Sequence, residues 1–255
     1  FYDCDALKEV VLPDKLTSLA QYAFYGCDAL EKVTIANSLT SMGNNVFDSC
    51  KELKEVTLGN GLQTIPANAF SNCGKLTEMV FPYGVTSIAK SAFVNDTGLL
   101  TITLPRTVSS IDSTAFSYTD KMTVYGVAGT YAQEWAESVG ATFVNKEVNA
   151  TEITLDRTEI TMTKGNSDKL ILNITPADCT DAVNWKCTDT SVVTVDSTGN
   201  LTAKAVGTAT VKVTVGNLSA TCKVTVVQPV TSISLNKTSV AMDALDTYQL
   251  VAYPY

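Results

Sequence analysis

Apolar residues recur every 23 positions along the first half of the chain. Four aliphatic columns keep this spacing, and phenylalanine marks it most plainly. The phenylalanine column consists of Phe1, Phe24, Phe47, Phe70, Phe93 and Phe116. A constant period of this size is typical of solenoids, in which each repeat forms one coil that stacks on its neighbours. The pattern therefore predicts about six stacked coils.

Within one repeat, apolar positions two residues apart predict a short strand. Val56 and Leu58 would share the inward face, and Thr57 would point outward. A strand-ending residue follows, and Leu62 and Ile65 then return along the opposite wall. Because one coil cannot bury its own apolar edges, stability must come from stacking between coils.

The unit Leu-x-x-Val-x-Leu beginning at Leu53, followed by Ala69, Phe70 and Cys73, resembles the BspA-like leucine-rich repeats of bacterial surface proteins. The resemblance covers residues 1 to about 125. It implies a leucine-rich-repeat solenoid of short strands. The phenylalanines of each coil, Phe24 through Phe116, would then be structural residues that fill its end.

The last repeat loses the regular strand pattern, and a different periodicity follows it. Tyr131, Trp135 and Val139 are four residues apart, with Thr130 placed as an N-cap and Gly140 as a helix stop. The spacing predicts a capping helix at about 130–140 that closes the end of the solenoid. An aromatic ligand patch around Trp135 is the alternative interpretation.

The second half changes to alternating Thr and Val, which predicts strands with one buried face. Residues 208–215 and 221–227 alternate in this way, and a glycine turn lies at Gly199. Several short strands separated by turns favour an all-β sandwich. Together with Trp185 and the strand that begins at Cys222, these features resemble the group 2 bacterial immunoglobulin-like (BIG2) domain. The resemblance implies that Trp185 is the core tryptophan.

A second immunoglobulin-like copy begins near the end of the chain. Ile233-x-Leu235-Asn236-Lys237 repeats Ile153-x-Leu155-Asp156-Arg157 at a shift of 80 residues. The expected organisation is a solenoid over 1–147, an immunoglobulin-like domain over 148–227, and the first strands of a second, truncated domain over 228–255. Both ends are expected to be cut from a longer polypeptide.

Seven cysteines raise the question of disulfides. Four of them share one column of the repeat: Cys4, Cys27, Cys50 and Cys73. Parallel side chains in this column approach poorly for a disulfide, so a buried stack of structural free thiols is expected. Cys187 and Cys222 should face the sandwich core, where they would either bridge the sheets or remain packed thiols. Cys179 is predicted to be an exposed free thiol.

Composition argues against most catalytic and nucleic-acid functions. The net charge is −8 and the pI is about 4.6, which disfavours a phosphate-binding groove. The chain has no histidine, which excludes histidine-based nucleophilic and general-base catalysis. No catalytic residue, metal site or cofactor is predicted. The acids Asp178, Asp181 and Asp189 around one loop are interpreted as solvated rather than as calcium ligands.

The remaining candidate site is the outward face of the first strand in each coil. This face is mixed in charge and rich in threonine. It has no aromatic row that would stack on sugars, so a protein partner is favoured over a glycan. Tyr83 and Arg106 in the adjoining loops are interpreted as solvated turn residues. The predicted binding residues are Glu9, Lys32, Glu55, Glu78, Thr34, Thr57 and Thr103.

These features predict a non-catalytic, adhesin-like binding protein at the bacterial cell surface or secreted from the cell. The resemblance implies that the solenoid is the recognition face and the immunoglobulin-like domains are a stalk. The expected partner is an extracellular protein of the host matrix or of another bacterial surface. We expect a monomer without nucleic-acid binding or membrane insertion. The alternative function is a targeting or spacer region of a larger secreted enzyme, and a spacer within a surface layer is a third.

Overall fold

The computed structural model shows a β-solenoid followed by a β-sandwich. The residues that the structure describes are 1–119, 122–228, 233–235, 237, 239–240, 247, 249 and 251–254.

Each coil of the solenoid contributes two short strands, one to each of two parallel walls. The first wall contains the odd-numbered strands from β1 to β11 together with β12, in the sheets β1-β3-β5 and β7-β9-β11-β12, and the even-numbered strands from β2 to β10 form the second wall. The strands are β1 (Glu9–Val11), β2 (Ser18–Leu19), β3 (Lys32–Thr34), β4 (Ser41–Met42), β5 (Glu55–Thr57), β6 (Thr64–Ile65), β7 (Glu78–Val80), β8 (Ser87–Ile88), β9 (Thr101–Thr103), β10 (Ser110–Ile111), β11 (Thr123–Gly126) and β12 (Thr142–Asn145).

The strands pair in the register that the repeat predicts. Val33 lies opposite Val10 on one side and Val56 on the other, so each partner is one period away. The aliphatic columns fill the interior between the walls, and Leu53 and Leu76 are fully buried. The predicted solenoid is therefore confirmed.

The phenylalanines form one continuous stack through the solenoid. Ring centroids of successive members lie 5.1–5.4 Å apart, and the planes are nearly parallel. Phe47, Phe70 and Phe93 are fully buried, whereas Phe1 is 74% exposed. Trp135 continues the stack beyond Phe116, with its centroid 5.3 Å away. The column therefore links the coils to the cap.

Two turn positions of each coil adopt the left-handed conformation. Short polar residues and glycine occupy most of them, because a bulky side chain is strained at positive φ, although Tyr22 and Tyr118 adopt it as well. Asn45, Asn68 and Ser91 hold one position, and Gly26, Ser49 and Asn72 hold the other.

The predicted capping helix is present as α1 (Tyr131–Ser138). It buries Ala132, Trp135 and Ala136 against the last coil, but Val139 is exposed at its C-cap. Thr130 occupies the N-cap position without a side-chain capping bond, since its hydroxyl donates to the Val127 carbonyl at 2.7 Å. The Gln133 side chain instead accepts from the Gly129 amide at 2.9 Å.

The second unit is an all-β sandwich. One sheet has the order β14-β21-β20-β17, the other has β15-β19-β18, and β13 pairs with β16. Leu170, Val193, Leu201 and Val211 are fully buried between them. The strands are β13 (Glu152–Leu155), β14 (Glu159–Thr163), β15 (Ser167–Lys169), β16 (Leu172–Thr175), β17 (Val183–Cys187), β18 (Val193–Val195), β19 (Asn200–Ala203), β20 (Gly207–Val215) and β21 (Leu218–Val227).

The start of the second copy repeats a pairing of the first. Strand β22 (Ile233–Leu235) is antiparallel to β23 (Ala252–Pro254), with Leu235 opposite Ala252. Shifting these positions by 80 residues gives the pairing of Leu155 with Leu172 between β13 and β16. Other positions of the predicted copy, including Asn236, Met242 and Leu250, lie outside the described residues.

Candidate functional site

The charged column of the predicted recognition face lies on the solvent side of the first wall. Glu9, Glu55 and Glu78 are exposed. The Lys32 ammonium lies 2.8 Å from a Glu55 carboxylate oxygen, and Lys54 makes an equivalent 2.8 Å pair with Glu31. The hydrogen bond to Glu55 raises the pKa of Lys32. Successive coils thus present charges of both signs that are partly paired with each other.

The threonine column of this face is not uniformly accessible. Thr57 is exposed and Thr34 is half-buried, but Thr103 is only 4% exposed. Thr103 lies opposite Val80 and Tyr125 in the neighbouring coils, and the large Tyr125 side chain replaces the small residue of other repeats. The prediction that Thr103 lies on the exposed strand face is therefore wrong. The tyrosine in the last repeat was the signal in the sequence.

The outward positions of the second wall form a column of hydroxyl groups that the sequence analysis did not identify. The Thr64 and Ser87 hydroxyls lie 2.8 Å apart. In the sequence, a Ser or Thr precedes the buried residue of each second strand. Because neighbouring side chains of a strand point to opposite faces, these hydroxyls point outward, and the repeat aligns them in a column. The column consists of Ser18, Ser41, Thr64, Ser87 and Ser110.

The turns after the first strand in three successive coils contact the sandwich, and Tyr83 is the central contact. Tyr83 is 9% exposed, so the prediction of a solvated turn residue is wrong. Its hydroxyl donates to the Ser197 carbonyl at 2.6 Å and accepts from the Trp185 indole at 3.0 Å. Burial raises the pKa of Tyr83 to about 12, so it remains a hydrogen-bond donor at neutral pH.

Further hydrogen bonds join the same two surfaces. The Arg106 guanidinium donates to the Thr180 carbonyl at 2.6 Å, and the Lys169 ammonium donates to the Gly61 carbonyl at 2.8 Å. Arg106 itself remains exposed. Burial lowers the pKa of Lys169. The contacting turns come from three successive coils, so the sandwich lies against the side of the solenoid.

Trp185 contacts the sandwich core, as the resemblance implied, but it is only partly buried there. It is half-buried and packs between two apolar clusters of the sandwich. Its indole N–H is directed to Tyr83, which belongs to the solenoid. Earlier repeats have the short polar residues Asp14 and Asn37 at the position that Tyr83 and Arg106 occupy in later repeats. This replacement by large side chains was the sequence signal for the contact.

Tyr83→Phe is expected to lower the free energy of unfolding of the full chain by about 1–2 kcal/mol, because the Ser197 carbonyl and the Trp185 indole both lose a buried partner. Urea unfolding followed by tryptophan fluorescence measures this change. Tyr118→Phe is the matched control, since Tyr118 is 78% exposed. Equal stability of the two variants would contradict the importance of this contact.

The cysteine column is a stack of buried free thiols. The Cys27, Cys50 and Cys73 sulfurs donate to the carbonyls of the phenylalanines 26 residues earlier, at 3.1–3.2 Å. Burial raises the pKa of Cys50 to about 12 and that of Cys73 well above its ordinary value. Since the thiolate is the reactive form, these groups are structural rather than nucleophilic.

The structure does not form the disulfide that was one alternative for Cys187 and Cys222. Both thiols are free, and both lie in one sheet opposite Val211 of the strand between them. Two strand spacings separate them by about 10 Å, which exceeds the span of a disulfide. Cys179 is 7% exposed, so the prediction of an exposed thiol is also wrong. It packs with Leu172 and Ile174 in an apolar cluster.

The three loop acids have separate partners. Asp178 lies 2.6 Å from the Lys146 ammonium, Asp181 accepts from the Ala150 amide at 2.9 Å, and Asp189 accepts from Ser191. Among the residues that the structure describes, no group of three potential metal ligands lies together.

Asp96 occupies the position of the cysteine column in the fifth repeat. It is fully buried, and its Oδ1 accepts from the Cys73 amide at 2.7 Å. The other oxygen, Oδ2, has no hydrogen-bond partner among the described residues. Burial raises the pKa of Asp96 to about 8. In the sequence, this buried acid could have been recognised because Asp96 follows Cys73 by 23 residues and so takes the place of a cysteine in the repeat.

Comparison with known families assigns both units. Residues 1–123 match six copies of the BspA type leucine rich repeat region, and residues 149–226 match the bacterial Ig-like domain (group 2). Residues 1–123 therefore form a BspA-type leucine-rich-repeat array, and residues 149–226 form a group 2 bacterial immunoglobulin-like domain.

Individual relatives cover smaller parts of the chain. An uncharacterised protein of Clostridium acetobutylicum is 36% identical over 97 residues, which are 36% of this chain and 10% of that protein. A lacto-N-biosidase of Bifidobacterium bifidum is 41% identical over 70 residues, which are 27% of this chain and 6% of that protein. The chain thus spans a tenth or less of these two relatives.

A solved structure of a leucine rich cell surface protein from Faecalibacterium prausnitzii A2-165 is similar with 26% identity and a TM-score of 0.47. The match covers 50% of this chain and 34% of that one. Within the described ranges, no helix has the length and apolar character needed to cross a bilayer.

Proposed function

We propose that this chain is a non-catalytic, extracellular binding protein of the adhesin type. The exposed first wall of the solenoid recognises a protein of the host matrix or of another bacterial surface, and the immunoglobulin-like domain is its stalk. The observation that carries the proposal is the exposed charged column that contains Glu9, Lys32, Glu55 and Glu78. This column is held at fixed spacing by a fully buried interior.

The character of this face favours a protein partner. Its charges have both signs and lie on a rigid parallel sheet, so a partner with complementary charges can align with several coils at once. The face has no aromatic row for stacking on sugar rings. The match of residues 1–123 to the BspA type leucine rich repeat region supports an extracellular location.

Charge reversal of Glu55 and Glu78 tests this proposal. The full chain is applied to an array of extracellular-matrix and bacterial surface proteins, and Glu55→Lys/Glu78→Lys is expected to weaken the strongest interaction at least about tenfold. Glu134→Lys/Glu137→Lys is the matched control, because it makes the same charge change at exposed positions of α1. Equal weakening by both variants, or no bound protein in the array, would contradict the proposal.

A second candidate function is a non-catalytic segment of a larger secreted enzyme. The similarity to a lacto-N-biosidase over 70 residues favours it, because that enzyme contains a related segment within a much longer chain. Sequencing the gene on both sides of the encoded segment distinguishes the two functions. An adjoining catalytic domain would support the enzyme, and an anchor without one would support the adhesin.

A further inference from the structure

A polar cleft lies between the first turns of the solenoid and the edge of the sandwich that contains β15 and β19. Its volume is about 1060 Å³, which is large enough for several sugar rings. Apart from Ile171 and Leu201, polar or charged residues line it. Those two side chains are themselves buried, so the cleft exposes no large apolar side chain.

Contacts between the two units hold the walls of the cleft in place. The Lys169 ammonium reaches the Gly61 carbonyl at 2.8 Å, and the Gln63 amide donates to the Thr198 hydroxyl at 2.9 Å. A preformed site loses less conformational entropy when it binds a ligand. The cleft is therefore a built site rather than a gap between loosely connected units.

The charges of the cleft are balanced in number, and three of them pair with each other. Three acids and three bases line it. Arg157 lies 2.7 Å from Asp156 and 3.5 Å from Asp168, while the Asp156 carboxylate also accepts from the Ile171 amide. Neither an anionic nor a cationic ligand is favoured by such a lining. A neutral ligand is the better match.

Uncharged groups on both walls are available to such a ligand. The side-chain hydroxyls of Thr17, Ser167 and Thr202 make no hydrogen bond to another residue that the structure describes, and all three residues are exposed. Ser167 and Thr202 are register partners on adjacent strands, so they share a face. The Asn37 carbonyl oxygen accepts from the Asn60 amide, which leaves its N–H₂ group as a donor.

We propose that this cleft binds a neutral oligosaccharide. Hydroxyl and amide groups with both donor and acceptor capacity match the hydroxyl groups of a sugar. The cleft, like the strand face, has no aromatic side chain for stacking, but its two facing walls can hydrogen-bond a sugar from both sides, which the open strand face cannot do. A peptide is less well matched, because peptide anchor residues pack against large apolar side chains, and the cleft exposes none. This site is separate from the charged strand face and does not depend on it.

Titration of the ¹⁵N-labelled full chain tests the proposal. The probes are neutral gluco-, galacto- and N-acetylglucosamine-containing oligosaccharides, sialylated and sulfated counterparts, and a mixed-sequence peptide library, each up to about 10 mM. Saturable amide shifts of Thr17, Asn37, Ser167 and Thr202 with a neutral oligosaccharide are expected. Ser167→Ala/Thr202→Ala should weaken that binding at least tenfold at unchanged melting temperature, because neither hydroxyl bonds another described residue.

Thr57→Ala and Glu55→Lys/Glu78→Lys are the controls, and both should leave oligosaccharide binding unchanged. Binding that is lost only in the latter variant would place the glycan on the strand face and overturn the cleft site. The absence of saturable cleft shifts with every neutral oligosaccharide, or shifts produced only by the anionic probes or peptides, would also overturn it. Since the array experiment on matrix proteins does not involve the cleft, either proposal can fail alone.

Discussion

Phe70→Ala is expected to lower the free energy of unfolding by about 3–5 kcal/mol, the usual cost of truncating a buried aromatic side chain. Phe70 is fully buried, and its ring centroid lies 5.4 Å from those of Phe47 and Phe93. Because each coil contacts only its neighbours, a cavity in the middle of the stack weakens both interfaces at once. Chemical denaturation of the full chain measures the loss.

Phe1→Ala is the matched control for this experiment. Phe1 belongs to the same column and stacks on Phe24 at 5.2 Å, but it is 74% exposed. Its replacement should therefore cost much less than that of Phe70. Phe70→Leu should fall between the two, because it retains most of the apolar volume. Similar losses for Phe1→Ala and Phe70→Ala would show that the column does not carry the stability of the array.

Asp96→Asn is expected to raise the stability at neutral pH by about 4 kcal/mol and to make it less dependent on pH. The pKa of Asp96 is about 8 in the folded chain, against 3.8 without burial. Between these values the folded state keeps a proton that the unfolded state releases. The stability of the wild-type chain therefore falls as the pH rises through this window, and the loss is absent below it.

Asparagine is the appropriate replacement because it stays neutral and keeps an oxygen that accepts from the Cys73 amide. A protonated Asp96 can donate from its second oxygen, as the thiols of this column do, whereas a carboxylate leaves that oxygen buried without a donor. Urea midpoints measured from pH 5 to pH 9, over roughly the upper part of the window, provide the test.

Asp112→Asn is the control, because the pKa of Asp112 is shifted in the opposite direction to that of Asp96. Hydrogen bonds from the Thr114 side chain and amide lower the pKa of the exposed Asp112, so its contribution is lost as the pH falls. Above pH 5 its replacement should leave the slope of stability against pH unchanged. An Asp96→Asn variant with the same slope as wild type would show that Asp96 is ionised in the folded chain.

The solenoid could be predicted from the sequence because every coil buries the same positions of the repeat. A side chain that is buried in one coil is buried in the next, so Val33 and Phe47 define whole columns. The sandwich was predictable from strict alternation in β20 and β21, where one face is buried. Periodicity can be read from the sequence itself, so these elements could be predicted without knowledge of the tertiary structure.

Contacts between the two units were not predictable in this way. Tyr83 and Arg106 were read as solvated because turn residues usually are, and only the position of the sandwich gives them partners. The sequence likewise placed Cys187 and Cys222 toward one core without showing that Val211 separates them. The predicted exposure of Thr103 was wrong for the same reason, since its burial depends on the neighbouring coil.

Side-on docking of the sandwich has a mechanical consequence. The peptide link between the two units runs through residues 146–150, while the bonds from Gly61, Tyr83 and Arg106 lie far from it in sequence. Tension along the chain would therefore be shared in parallel by the link and by these lateral contacts. The coils and the sandwich should extend as one stiff body under low force, and they should separate only after the lateral contacts have ruptured.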